Sequence, residues 1–196
     1  DEFVSWVIQH VSNTAAGVRV VVSNYEADAQ LAKLRADGEI DIVYSAARDS
    51  DFLLYEGMGE IMYNLQPNGM FKLVDLQSDV LGQSSVGGFN FSLWTRRHFT
   101  IWSAACGCDY LENPFNYGAK KLYDMVHANL ALDDAALFDL VAKVAPDETK
   151  YREALEAAVL SFRHHVVFER SANGSIQQVP LTPLPDDAIS FDYVAL

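Results

Sequence analysis

The stretch VRVVVSNYEADAQLAKLRADGEIDIVYS, residues 18–45, decides how the chain is read. Its opening, Val18 to Val22, is a short run of β-branched residues that predicts a buried strand. Good helix formers follow over Ala27 to Ala36, with Leu31 and Leu34 on one side and Gly38 placed to close the helix. A second β-rich run, Ile40 to Tyr44, comes next. Working outward, Phe3, Trp6, Val7, His10 and Val11 recur at helical spacing, so a first helix is expected to end near Asn13 to Gly17. Helix, strand, helix, strand is the order of a parallel α/β sheet.

Further along, Ile61 to Leu65 and Met70 to Leu76 flank Pro67-Asn68-Gly69, the turn chemistry of a hairpin at a sheet edge. The Ser- and Gly-rich segment Gln77 to Gly88 reads as a mobile loop. Helical periodicity resumes over Phe91 to Ala105, and three more helices are expected at about 118–129, 133–144 and 147–161. From His164 onward Pro180, Pro183 and Pro185 interrupt any regular pattern, which predicts an extended tail. The expected division is an α/β region 1–105, a helical region 106–162 and the tail 163–196.

Half of the 196 residues are hydrophobic, enough for a real core, and disorder is not the expectation. The net charge of −13 has the wrong sign for a generic nucleic-acid binder, since Lys and Arg supply most phosphate affinity. Any action on DNA must therefore use local basic patches or bound metal ions. Cys106 and Cys108 are too close for a usual disulfide and complete no zinc site, so they read as reduced core residues. No stretch approaches the roughly 18 apolar residues of a bilayer span, and the acidic Asp1-Glu2 opening is unlike a signal peptide. These features predict a soluble, intracellular protein with no membrane partner. The chain begins without Met and runs straight into a helix pattern, as an excised, processed or truncated chain would.

The carboxylates carry the chemistry. Glu26 and Asp28 follow the first strand at i, i+2 spacing, and Asp49 and Asp51 follow the second. Asp109, after the helix Phe91 to Ala105, is a fifth candidate. Carboxyl ends of parallel strands are where α/β proteins place their sites. Converging carboxylates repel one another and raise each other's pKa unless cations sit among them. Hard oxygen ligands suit Mg²⁺ or Mn²⁺, and two such ions about 4 Å apart can activate water against a phosphodiester. An isolated Asp-X-Asp is more often a turn or cap; two pairs at the ends of successive strands make a site as reasonable as a turn.

Three blocks then carry a family resemblance. Tyr25-Glu26-Ala27-Asp28-Ala29-Gln30-Leu31-Ala32, Asp49-Ser50-Asp51-Phe52-Leu53-Leu54 and Gly107-Cys108-Asp109-Tyr110-Leu111 resemble, in order, the YEADAQLAYL, DSDLL and GCDYL blocks of the XPG-like flap endonuclease and exonuclease family. Phe162 to Phe168 and Val179-Pro180-Leu181 are similar to the segment after the helices in the exonuclease branch, so the likeness covers nearly the whole chain. It implies a PIN-like parallel-sheet nuclease core with a helix-two-turn-helix extension, two Mg²⁺ or Mn²⁺ ions, and cleavage of DNA at 5′ flaps or 5′ ends. By position, Glu26, Asp28, Asp49, Asp51 and Asp109 match the family's metal-coordinating carboxylates. Asn116-Tyr117-Gly118 matches its duplex-holding Gly-hydrophobic-Gly hairpin, where a potassium ion is often bound, and Lys120 and Lys121 match the basic residues that follow. Asn tolerates positive φ, so that turn is expected to survive.

The sequence departs from the family in two respects. The remaining metal-binding aspartates and the basic helical arch precede the region that begins here at Asp1, and no matching block occurs in these residues. Arg48 stands where the family commonly has an acidic residue. The resemblance thus implies the internal part of a 5′ nuclease, expected in the nucleus and complete only with an N-terminal region in the same or another chain. A non-catalytic descendant kept as a binding module is the alternative. Bland readings are expected elsewhere: Trp6, Trp94 and Trp102 in the core, Tyr25 packed beside the site, and His164-His165 capping or packing a helix end.

Overall fold

The computed structural model describes residues 2–14, 17–23, 25–45, 49–114 and 116–184. Arg48 and the tail from Pro185 onward lie outside the described residues. Among the described residues there are seven α-helices and a small mixed three-stranded sheet. The first, α1 (Glu2–Thr14), is followed by α2 (Ala27–Ala36). Strand β1 (Val43–Ser45) pairs in parallel with β2 (Ile61–Tyr63), Val43 opposite Ile61, and β2 pairs antiparallel with β3 (Lys72–Val74). Helix α2 ends as its sequence predicts: Gly38 takes φ 72°, and the amides of Gly38 and Glu39 donate to the Arg35 and Leu34 carbonyls. The β2–β3 hairpin likewise closes over Pro67-Asn68-Gly69, with the Gly69 amide on the Gln66 carbonyl at 2.9 Å.

Four helices form the main body: α4 (Arg96–Ala105), α5 (Ala119–His127), α6 (Asp134–Ala142) and α7 (Glu148–His164). Asp133 and Asp147 cap α6 and α7 by accepting from the Ala136 and Lys150 amides, satisfying donors that a helix start leaves free. Their apolar faces meet in a core containing Ile101, Leu122, Leu137, Val141, Leu155 and Phe162, each fully buried. That core continues without a break to Ala29 and Ala32 of α2 and Ile61 of β2. Phe162 is its hinge: the rings of Tyr55 and Tyr110 meet it edge-on at 5.1 Å each.

Five sequence expectations are corrected. Val18 to Val22 makes no strand: Val18, Val21 and Val22 are 51%, 53% and 61% exposed, and no ladder partner occurs among the described residues. β-branched residues favour a pleated surface only when a neighbouring strand supplies one. Trp6 is exposed rather than core, since α1 forms but its apolar side is not buried, whereas Trp94 is core and Trp102 packs against it. Gln77 to Gly88 is not a loose loop. A short helix α3 (Leu76–Asp79), capped by Asp75, buries Leu76, Val80 and Leu81, and Val86 and Phe89 exchange backbone hydrogen bonds. Helix α4 starts only at Arg96, because Thr95 and His98 form a cap there and Phe91 to Trp94 turn into the aromatic cluster. The segment after His164 is a hairpin, β4 (Val166–Arg170) with β5 (Ile176–Pro180), not an irregular tail. Pro180 sits at the last paired position of β5, where proline costs the ladder little.

Because Phe162 fills the space where α7 meets both tyrosines, Phe162→Ala leaves a cavity that the surrounding rings cannot close. We expect about 3–5 kcal/mol of lost stability in chemical denaturation, the range for burying and then removing a large aromatic ring.

Candidate functional site

The three sequence blocks end on three different local devices. Glu26 is the N-cap of α2 with extended backbone, makes no side-chain cap bond and is exposed. Asp28 stands in the first helical turn and is half-buried. Asp49 comes off the end of β1: its amide donates to the buried Ser45 hydroxyl at 3.1 Å, and its carbonyl accepts from the Tyr63 hydroxyl at 3.0 Å. Its carboxylate accepts from the Asp51 amide at 3.0 Å, a local turn that fixes the spacing of the pair. Asp51 opens a short 3-10 helix, Asp51–Leu54, whose Phe52 and Leu54 are buried. Asp109 is at the tip of a two-residue turn held by reciprocal Cys108–Leu111 backbone bonds of 2.9 and 3.2 Å.

These carboxylates are near enough for their charges to act on one another. Asp28 is pushed up from 3.8 to about 6, first by burial and then by the charges of Asp49, Glu26, Asp109 and Asp51. Burial also raises Asp51, Asp49 adds to it, and the nearby Asp109 amide partly offsets the rise. The charges acting on Asp28 are all carboxylates, and each opposes its ionisation. Among the described residues no group of three or more His, Cys, Asp or Glu side chains stands close enough to hold an ion without movement. The donor set nonetheless fits a hard divalent cation: oxygen ligands with surplus negative charge, carried on side chains that can rotate.

Behind the carboxylates is an aromatic wall. The Tyr55 and Tyr110 hydroxyls are 2.8 Å apart, joining the segment that follows Asp51 to the residue that follows Asp109. Both phenols are raised by burial, Tyr110 to about 12. Tyr25 packs beside the site as its sequence position predicts, stacked on Phe168 at 5.8 Å with its hydroxyl accepting from Gln178. Cys106 and Cys108 are free thiols of intermediate burial, and burial pushes Cys106 up to about 12. Asp51 and Cys106 border a cavity of about 270 Å³ that reaches Trp102 and Ala119. His164 and His165 are buried, with Nδ1 atoms at 3.1 and 3.0 Å from the Thr182 and Val166 carbonyls, a packing role.

At Asn116-Tyr117-Gly118, Asn116 takes φ 67° and Gly118 is the N-cap of α5. Lys121 donates to the Asn116 carbonyl at 3.0 Å and lies over the Tyr117 ring, while Lys120 pairs with Asp124 and lies over Tyr123. Both pairings are exposed, so they hold the lysines weakly. The residues that sequence reasoning passed over are Tyr55, Tyr110 and Gln30. Gln30 alone left a signal, a polar residue between Ala29 and Ala32 on a face that proves buried.

Residues 17–109 match the XPG I-region, a span that takes in Glu26, Asp28, Asp49, Asp51 and Asp109. By that match the span is similar to the I-region of the XPG-like 5′ nucleases. The chain is also similar to Exonuclease 1 of Arabidopsis thaliana, 27% identical over 162 residues that cover 81% of this chain and 20% of that protein. Exonuclease 1 of Danio rerio is 26% identical over 181 residues, covering 87% of this chain and 20% of that protein. The chain thus spans about a fifth of the length of these relatives. Among the described residues no helix is long and apolar enough to cross a membrane.

The raised carboxylate sets a pH dependence. Between its unfolded pKa near 3.8 and its folded value of about 6, Asp28 binds a proton only in the folded chain. Its protonation therefore stabilises the fold fully below the unfolded value, and that contribution is lost as pH rises through about 6. In metal-free buffer we expect Asp28→Asn to melt higher than wild type at about pH 7 and to converge with it below about pH 4. Parallel melting curves at every pH would refute the coupling.

Proposed function

We propose that the chain is part of a metal-dependent, structure-specific 5′ nuclease that hydrolyses DNA phosphodiesters at 5′ flaps or 5′ ends. The observation that carries this reading is the half-buried Asp28 acted on by four other carboxylates from three segments, all within the matched XPG I-region. Glu26, Asp28, Asp49 and Asp51 would hold two Mg²⁺ or Mn²⁺ ions, with Asp109 helping to place the second ion or its water. Bound there, such ions supply Lewis acidity and an activated water, so no side chain is needed as general base. The chain's own contribution is to hold and orient: the Asp49 turn spaces one pair, the first turn of α2 spaces the other, and the Tyr55–Tyr110 bond ties the third segment to the second.

In the same reading the sheet and helices are a PIN-like nuclease core, α/β over 1–105, extended by a helix-two-turn-helix unit over 106–162 and closed by 163–196. Asn116, Tyr117 and Gly118 present backbone to a duplex phosphate, with Lys120 and Lys121 beside it and room for a potassium ion at the turn. The lysines must exchange their weak local pairings for phosphate. An N-terminal nuclease region, in this or another chain, supplies the remaining ligands, and the nucleus is where such DNA is found. The second reading, a nuclease-derived module that binds without cleaving, is favoured by the separation of the carboxylates as they stand.

Thermal unfolding with and without millimolar Mg²⁺ tests this. A ligand of the folded state raises the melting temperature by mass action, by about 2.7 kcal/mol of stability at a hundredfold excess over Kd. The rise is expected in wild type and absent in Asp49→Asn/Asp51→Asn. No rise in wild type, with a double mutant that melts higher, would transfer the assignment to the binding module.

A further inference from the structure

The structure holds the start of α2 by an unusual means. Upstream, residues 18–22 join no sheet among the described residues, and Glu26 makes no side-chain cap bond. The N-terminal side holds this turn through exposed local contacts, the Ser23 hydroxyl donating to the Glu26 carbonyl at 3.3 Å and accepting from the Tyr25 amide at 3.3 Å. From the other side, Gln30 is 6% exposed and both ends of its carboxamide bond the backbone of one residue. Its Nε2 donates to the Phe168 carbonyl at 3.0 Å, and its Oε1 accepts from the Phe168 amide at 2.8 Å. This is the pairing that a neighbouring strand would make with β4, performed by a side chain. The Gln30 amide itself donates to the Glu26 carbonyl at 3.3 Å, so one residue links the carboxylate-bearing turn to the hairpin. Two weaker contacts run the same way: Tyr25 stacks on Phe168, and Lys33 reaches Glu169 at 3.6 Å.

We propose that Gln30 is a positioning residue: through its clasp on Phe168, the β4–β5 hairpin sets where Glu26 and Asp28 stand. The proposal rests on the metal-binding reading of those carboxylates and extends it to the C-terminal hairpin, which lies outside the matched I-region. A neutral primary carboxamide suits this role, because it donates and accepts in one plane and so meets both the N–H and the C=O of a single residue. Glutamate would keep the contact to the Phe168 amide and lose the one to its carbonyl. Methionine would keep the volume and lose both, leaving part-buried backbone groups of Phe168 unpaired.

Calorimetric titration of the whole chain with Mn²⁺ separates positioning from stability. The variants are Gln30→Met and Val141→Ala, the latter a fully buried core substitution in α6, which packs mainly against α4, α5 and α7. Outer groups that orient metal ligands typically cost 10- to 100-fold in affinity when removed. We expect Gln30→Met to weaken Mn²⁺ binding at least about tenfold and Val141→Ala to leave it within about twofold. Equal affinities for wild type and Gln30→Met overturn the proposal. Coupling is reciprocal, so bound Mg²⁺ must in turn slow hydrogen exchange of the Phe168 amide in wild type. That measurement decides the matter if Gln30→Met does not fold: unchanged exchange in a metal-saturated chain overturns the positioning role. Absence of Mn²⁺ binding by wild type overturns the underlying site as well, a result distinct from binding that ignores Gln30.

Discussion

Keeping Asp28 charged while it is half-buried among four other carboxylates is the physical constraint on which the rest of the arrangement depends. Burial and like charge both oppose the ionised form, and a fold gains nothing by assembling such a group for its own sake. The surrounding structure spends specific interactions on keeping the segments together. The Asp49 carboxylate is turned onto the Asp51 amide, Asp109 is presented on a two-residue turn, and the two tyrosines behind them share a hydrogen bond. Phe162, fully buried, supports both tyrosines from α7. A divalent cation would convert this repulsion into the attraction that holds the segments in place.

Legibility from sequence followed the range of the interactions involved. The helices α5, α6 and α7 were readable because their apolar spacing and the capping residues Asp133 and Asp147 are local. The β2–β3 hairpin was readable because Pro67-Asn68-Gly69 states its own turn, and Asn116 because asparagine takes positive φ without large cost. The Val18 to Val22 strand was misjudged because a strand is a pairwise structure, and composition says nothing of whether a neighbour is in place. The β4–β5 hairpin was missed for the converse reason: prolines at and beyond its end hid a ladder that needs only five paired positions.

The candidate carboxylates were legible as a set from the three blocks, but their mutual placement was not. That burial raises both Asp28 and Asp51 depends on how α2 and the segment at Asp51 lie against the body. The pairing of Gln30 with Phe168 and the Tyr55–Tyr110 bond are invisible in the sequence because each joins residues far apart in the chain, Gln30 to Phe168 across 138 positions. Likewise, the exposed ion pair of Lys120 with Asp124 tempers the reading of Lys120 as a phosphate contact, since an incoming phosphate must displace a carboxylate one helical turn away.

The most direct measurement is anomalous scattering from crystals of the chain soaked in Mn²⁺. Manganese peaks ligated by oxygens of Asp28 and at least two of Glu26, Asp49, Asp51 and Asp109 are the predicted result, with the side chains rotated inward from their present separation. Crystals in which the ordered manganese lies elsewhere, with these five carboxylates unmoved, would contradict the account.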